Sequence, residues 1–263
     1  MQPEIELGPL TLQTFGIMFA LGFIAAGVVI AKRLREWGKP PDWSYEMVFA
    51  ALIGGLIGAR LYWIVTNLDE VGDDVIGGVF GGSGLVWFGG LLGGAAGVLL
   101  WARRRGMFNV TLLDACSPAL AIGYAVGRVG CQIAGDGDYG SPTGLPWGMA
   151  YPDGVVPTTE VVHPTPIYET LAMCLVAWAL WRGRDALRPG LLFACYLVLA
   201  GAERFLVEFV RRNASVVAGL TEAQLLSLAM MIAGGVWLWR ASRSGGIRRS
   251  GGDPAAAAAP STA

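Results

Sequence analysis

Seven stretches of this 263-residue chain, at about 14–31, 46–66, 84–102, 110–130, 165–182, 190–209 and 222–240, are mostly apolar over the length that crosses a bilayer. Roughly 17–25 apolar residues span the hydrocarbon layer, and in that layer a helix satisfies its own backbone hydrogen bonds. The pattern predicts an all-α polytopic membrane protein with seven transmembrane helices. Composition agrees, since 54% of the residues are hydrophobic and 15% are charged, too few charges to cover a soluble domain of this length. The 39 glycines and 10 tryptophans suit helices that pack closely and end at a lipid–water boundary. A net charge of −1 offers no basic surface for nucleic acid, and no nucleic-acid partner is expected. Cys116, Cys131, Cys174 and Cys195 show neither CxxC nor Cys/His spacing, so neither a disulfide nor a metal site is predicted.

Orientation follows from lysine and arginine, which collect in cytoplasmic loops. Lys32, Arg33, Arg35 and Lys39 follow the first apolar stretch, and Arg103, Arg104 and Arg105 the third. Arg182, Arg184 and Arg188 follow the fifth, and Arg240, Arg243, Arg248 and Arg249 the seventh. These 14 of the 19 basic residues fall on one side, which predicts the N-terminus outside and the C-terminus in the cytoplasm. Residues 1–13 lack the basic region and small-residue cleavage site of a removable signal peptide, so the first span is expected to be retained. Residues 1–241 form the expected membrane domain, with residues 67–83 a solvated outer connector and the longest outer loop, 131–164, a small ordered extracytoplasmic head. The Gly/Ser- and alanine-rich residues 242–263 read as a disordered cytoplasmic tail.

The five remaining cations are all arginines: Arg60, Arg128 and Arg204 in the outer parts of spans two, four and six, with Arg211 and Arg212 just beyond span six. A guanidinium offers a fixed fork of donors to phosphate oxygens, so this cluster suits a lipid phosphate. Ion pairing with Glu169, Glu203 and Glu208 is the other reading, and the two are compatible. Arg128 opens the polar stretch Gly127-Arg128-Val129-Gly130-Cys131-Gln132-Ile133-Ala134-Gly135-Asp136-Gly137-Asp138-Tyr139-Gly140. It either pairs with an anion or reaches to the interface as an anchor. His163-Pro164-Thr165-Pro166-Ile167-Tyr168-Glu169 opens span five, and His163, the one histidine, is either a structural hydrogen-bond partner or a base near neutral pH. Arg204, Glu208 and Arg211, spaced i, i+4 and i+7, are expected on one helical face. Gly54, Gly55, Gly58, Gly89, Gly90, Gly93, Gly94 and Gly97 give the spacing of close helix packing.

Taken together these stretches resemble the bacterial prolipoprotein diacylglyceryl transferases. That family's signature is similar to G-R-x-G-N-F-x-N-x-E-x-x-G, and Gly127-Arg128-Val129-Gly130 and Gly140 match its ends. Its H-P-S/T-Q-L-Y-E stretch appears as residues 163–169, and its R-F-x-x-E-F-x-R as Arg204 to Arg211. An early G-x-R-L is Gly58-Ala59-Arg60-Leu61, and H/Y-G-G-L-x-G is Phe88-Gly89-Gly90-Leu91-Leu92-Gly93. The likeness runs from about residue 14 to 240 in consistent order. There are departures. Cys131 and Ala134 stand where the signature has asparagines, and Asp136 or Asp138 is the acidic counterpart. Phe88 replaces a proton-carrying His or Tyr, and Phe15 and Ala200 stand where the family often has tyrosines.

The resemblance implies transfer of the diacylglyceryl group of phosphatidylglycerol to the lipobox cysteine of a prolipoprotein, releasing glycerol 1-phosphate at the bacterial inner membrane, without a cofactor. It implies that Arg128 and Arg204 stabilise the leaving phosphate, with Arg60 and Arg211 as supporting charges. With Phe88 unable to carry a proton, His163 is the first candidate base and Asp136 or Asp138 the second. The resemblance also assigns Asp136, Asp138, Tyr168, Glu169, Glu208, Gly89 and Gly90 to the head-group site. A divergent homologue that uses another acceptor, or that only binds or moves anionic lipid, is the alternative.

Overall fold

The computed structural model describes residues 1–68 and 86–249, and most of the expected connector 67–83 lies outside them. Among the described residues the chain is mostly helical. Its seven α-helices are α1 (Thr14–Glu36), α2 (Trp43–Thr66), α3 (Trp87–Arg104), α4 (Val110–Ala134), α5 (Thr165–Gly183), α6 (Leu191–Val207) and α7 (Glu222–Arg243). Each falls on one of the apolar stretches. Four of them, α1, α2, α4 and α7, are long and apolar enough to cross a membrane.

The structure corrects the expectation of a purely helical chain. Residues 1–13 form a hairpin, β1 (Glu4–Leu7) against β2 (Leu10–Gln13), turning at Gly8 with φ of +64°. The head carries a second, irregular hairpin, β3 (Met149–Tyr151) against β4 (Thr158–Val162). Both are short ladders whose backbone groups pair outside the helices, where water or neighbouring strands can satisfy them. The C-terminal segment also differs from expectation. Helix α7 runs to Arg243, and the Arg249 N–H donates to the Ala186 carbonyl at 3.1 Å while Leu187 bridges Arg248. Residues 250–263 lie outside the described residues.

The chain divides into two compact units, Ala31–Leu112 and the remainder. Within the first, α2 and α3 pack backbone to backbone. A Cβ on Gly58 or Gly93 would overlap the facing glycine backbone, and one on Gly97 would overlap the Ala50 carbonyl. Glu46 of α2 ties the other end of this pair, accepting from Trp101 Nε1 at 2.9 Å and Arg105 Nε at 2.8 Å.

In the other unit, α1 lies close along α4, where a Cβ on Gly22 would sit 2.9 Å from the Gly123 carbonyl oxygen. Ala121, Ala125, Met173, Ala177 and Ala200 form a small-residue core joining α4, α5 and α6. Asp114 of α4 accepts the backbone N–H of Gly190 at 2.6 Å and of Phe193 at 3.0 Å. A carboxylate there satisfies open donors and the positive end of α6. Thr221 and Gln224 close a reciprocal capping box at the start of α7. The core of this unit joins α4, α5 and α6, and the polar residues lie at the C-terminal ends of α4 and α6 and the N-terminal end of α5.

Candidate active site

Arg128 lies six residues before the end of α4, Glu169 one turn into α5, Arg204 in the last turn of α6, and Arg211 directly after a 3₁₀ turn, Glu208–Val210. Glu169 is 0% exposed and gathers all three guanidinium groups. Its Oε1 accepts from Arg204 Nη1 at 3.1 Å and Arg211 Nη1 at 3.3 Å. Its Oε2 meets Arg128 Nε at 2.5 Å as a charge contact rather than an aligned hydrogen bond. Glu208 faces Arg204 Nη2 at 2.8 Å and Arg211 Nε at 3.9 Å, while its other oxygen accepts from Asn213 Nδ2 at 2.7 Å. Helix α6 ends before Arg211, so the expected single helical face is broken. The tighter turn still returns the Arg211 side chain to Glu169.

The head loop supplies the third carboxylate. Asp138 pairs with both Arg128 and Arg211. Asp136 instead turns inward and accepts the Asp138 backbone N–H at 3.2 Å. Burial alone would raise the Asp138 carboxyl, but Arg128 and Arg211 outweigh it and hold the group below its ordinary value.

The loop is pinned on both sides. The Thr165 hydroxyl donates to the Asp138 carbonyl at 2.5 Å, the Gly140 N–H to the His163 carbonyl at 2.8 Å, and the Ser141 N–H to the Val210 carbonyl at 2.7 Å. A Cβ on Gly140 would stand 2.9 Å from both His163 Cβ and Thr165 Cγ2, which explains a glycine there. Behind it, Tyr139 stacks on Tyr151 at 4.9 Å, and Tyr151 Oη donates to Gln132 Oε1 at 2.9 Å. Arg212 braces the loop through the Gly140 carbonyl at 2.9 Å and Glu160 at 2.8 Å.

Three guanidinium groups and three carboxylates thus form one charge-balanced network, as the ion-pair reading anticipated. Glu203 is the exception to that reading, forming no ion pair or hydrogen bond among the described residues. The Arg128 guanidinium also stacks over the Tyr124 ring at 4.9 Å and lies 3.7 Å from Cys131 Sγ through Nη1. Cys131, Asp136 and Asp138 bring ligand-type atoms within 4.8 Å of one another. Both Asp138 oxygens are already taken by arginines, so the trio matches an ion-pair corner better than a cation site.

Beside the network lies a cavity of about 540 Å³ lined by Leu145, Trp147, His163, Tyr168, Ala172, Glu203, Leu206, Val207 and Val210. His163 Nδ1 is 3.3 Å from Tyr168 Oη, which accepts from Trp147 Nε1 at 2.8 Å. Sequence reasoning missed Trp147, Asn213 and Thr165 as partners, because each acts through contacts formed only by the fold.

Arg60, Phe88, Gly89 and Gly90 belong to the other compact unit. There the Arg60 guanidinium lies 4.6 Å above the Trp63 ring, Gly89 packs against Gly58 and Tyr62, and Phe88 is exposed.

The family model described as prolipoprotein diacylglyceryl transferase matches residues 3–240. The chain is 32% identical over 240 residues to the phosphatidylglycerol–prolipoprotein diacylglyceryl transferase of Clostridium tetani, covering 89% of this chain and 95% of that one. It is 29% identical over 249 residues to the protein of the same name from Gloeobacter violaceus, covering 91% and 92%. With that of Dehalococcoides mccartyi it shares 31% identity over 233 residues, covering 86% and 88%. With the family model matching residues 3–240, through nearly all seven helices, the chain belongs to the prolipoprotein diacylglyceryl transferase family.

Proposed function

We propose that this protein transfers the diacylglyceryl group of phosphatidylglycerol to the lipobox cysteine thiol of prolipoproteins and releases glycerol 1-phosphate, the first step of lipoprotein maturation. The observation that carries this reading is the convergence of Arg128, Arg204 and Arg211 on the buried Glu169. The thiol attacks the glycerol carbon bonded to the phosphate, and negative charge grows on the departing phosphate. Donors already fixed in place stabilise that charge without reorganising. Glu169 and Glu208 are buried, so they act by orienting the arginines, while Arg128 and Arg204 meet the phosphate with Arg211 in support. Asp138, steadied by Asp136, sets the reach of Arg128, and Tyr168 forms part of the site wall. His163, Tyr168 and Glu203 are the cavity groups from which the proton acceptor is drawn, His163 being the candidate from sequence. Gly89 and Gly90 serve by letting α2 and α3 approach.

In this reading all seven helices span the bacterial inner membrane, with the N-terminus and head outside and the C-terminus cytoplasmic. The test is glycerol phosphate release by purified protein in phosphatidylglycerol micelles with a lipobox peptide. Wild type releases it, and Arg128→Ala does so at least ~100-fold more slowly, equivalent to ~2.7 kcal/mol of transition-state stabilisation. Phosphatidylglycerol binding by a folded wild type without release refutes transfer to a lipobox thiol and points to a homologue that uses another acceptor or only binds or moves the lipid.

A further inference from the structure

We infer that Glu203 is the catalytic base of this enzyme, the group that takes the proton from the acceptor thiol. The inference rests on the transferase reading above and names the acceptor side of the same site.

Consecutive residues of a helix point about 100° apart. On α6 this sends Arg204 into the ion network and Glu203 to the neighbouring face. Glu203, Leu206 and Val207 follow the i, i+3, i+4 pattern of one face of α6, Val210 lies in the 3₁₀ turn beyond it, and all four line the 540 Å³ cavity. Asp138, Glu169 and Glu208 each have arginine partners. Glu203 has none among the described residues, although Arg128, Arg204 and Arg211 are within electrostatic reach. A carboxylate left unpaired against a mostly apolar wall is costly, so its presence calls for a reason.

The neighbouring imidazole is less well placed for the task. Tyr168 Oη accepts the Trp147 indole proton at 2.8 Å and lies 3.3 Å from His163 Nδ1. One ring nitrogen of His163 is thereby engaged with Tyr168. His163, Tyr168 and Trp147 then form a fixed wall of the chamber.

The step balances within the two substrates and this side chain. The S–H bond breaks and its proton goes to a Glu203 oxygen as the sulfur forms a bond to the glycerol carbon. The C–O bond to phosphate breaks, its electron pair leaving with glycerol phosphate toward the arginines. Glu203 returns the proton to water before the next turnover.

The test compares a lipobox peptide with one carrying selenocysteine at the same position, whose selenol is already ionised at neutral pH. Glycerol phosphate release and the lipidated product are followed for wild type, Glu203→Gln, Glu203→Asp and His163→Ala. Glu203→Gln is expected to lose at least ~100-fold in kcat with the thiol peptide, with KM for phosphatidylglycerol unchanged. With the selenol peptide it comes within a few-fold of wild type. His163→Ala shows no such difference between peptides. An equal loss with both peptides, or thiol turnover within threefold of wild type, overturns the assignment. If Glu203→Gln does not fold, Glu203→Asp carries the test, and a selenol-to-thiol rate ratio equal to that of wild type overturns it. A wild type inactive with both peptides refutes the transferase reading itself, an outcome separate from any effect at Glu203.

Discussion

Replacing Glu169 with glutamine isolates the charge that holds the arginines together. The two side chains have nearly the same volume, so no cavity opens and the packing contribution drops out. Glu169 is fully buried and touches three guanidinium groups, and a neutral amide leaves those cations facing a dipole and one N–H donor. Removing one partner of a buried pair costs about 3–5 kcal/mol because a buried charge is left uncompensated. For a chain of this size that corresponds to a Tm lower by roughly 6–20 °C. Thermal unfolding in detergent micelles measures it, with Arg128→Gln and Arg128→Gln/Glu169→Gln completing a cycle whose coupling term is expected at about 1–3 kcal/mol. A Tm within about 2 °C of wild type, or a coupling term near zero, would refute the view that Glu169 is the hub of the site.

Asp138 gives a pH signature. Its carboxyl is held below the ordinary value of about 3.9, so its contribution is full above that value and is lost as pH falls through the folded-state value. The Tm gap between wild type and Asp138→Asn should therefore be constant at neutral pH and shrink below about pH 4, and a gap that widens on acidification contradicts the ion pairs. Gly140→Ala forces a methyl against His163 and Thr165, for an expected loss of about 1–3 kcal/mol, with slower turnover because Asp138 moves with the loop. Gly93→Ala places a methyl against the Gly54 backbone and should destabilise the α2–α3 pair by a similar amount, read as a lower Tm; an unchanged Tm would mean that the two helices slide apart freely.

What could be read in the chain followed the strength of the constraint. A helix that crosses a bilayer has one length and one polarity, and all seven helices lie within about five residues of the apolar stretches, including the 17-residue α6, with four of them long and apolar enough to cross. Soluble hairpins answer to weaker rules. The alternation in Glu4-Ile5-Glu6-Leu7 and Leu10-Thr11-Leu12-Gln13 around Gly8-Pro9 is a hairpin signal, overlooked because the segment is only 13 residues long. The arginines were legible as costly charges in apolar surroundings. Which carboxylate met which arginine was not, because Asp136 and Asp138 are separated by one residue in a loop that turns through positive φ at Gly135 and Gly137, at 61° and 93°. Glu203 shows the limit most clearly. Sequence offered it as an ion-pair partner beside Glu208, and only the turn that ends α6 shows that Arg204 faces Glu169 and Glu208 while Glu203 faces the cavity.

The charge balance of the network bears on how such a site can work. Three arginines set against three carboxylates provide no large net positive charge to draw in a phosphodiester, so affinity for the ground state is expected to be modest. What the carboxylates provide is rigidity. Each arginine has at least two of its nitrogens engaged by protein groups, which fixes the guanidinium planes before substrate arrives. A donor fixed in this way contributes most when charge on the phosphate increases, and only interactions stronger in the transition state than in the ground state accelerate the chemical step. Arg128→Ala should accordingly lower kcat much more than it raises KM for phosphatidylglycerol. A rise in KM with kcat unchanged would mean that Arg128 serves only to bind the lipid, and the electrostatic account of the phosphate departure would fail with it.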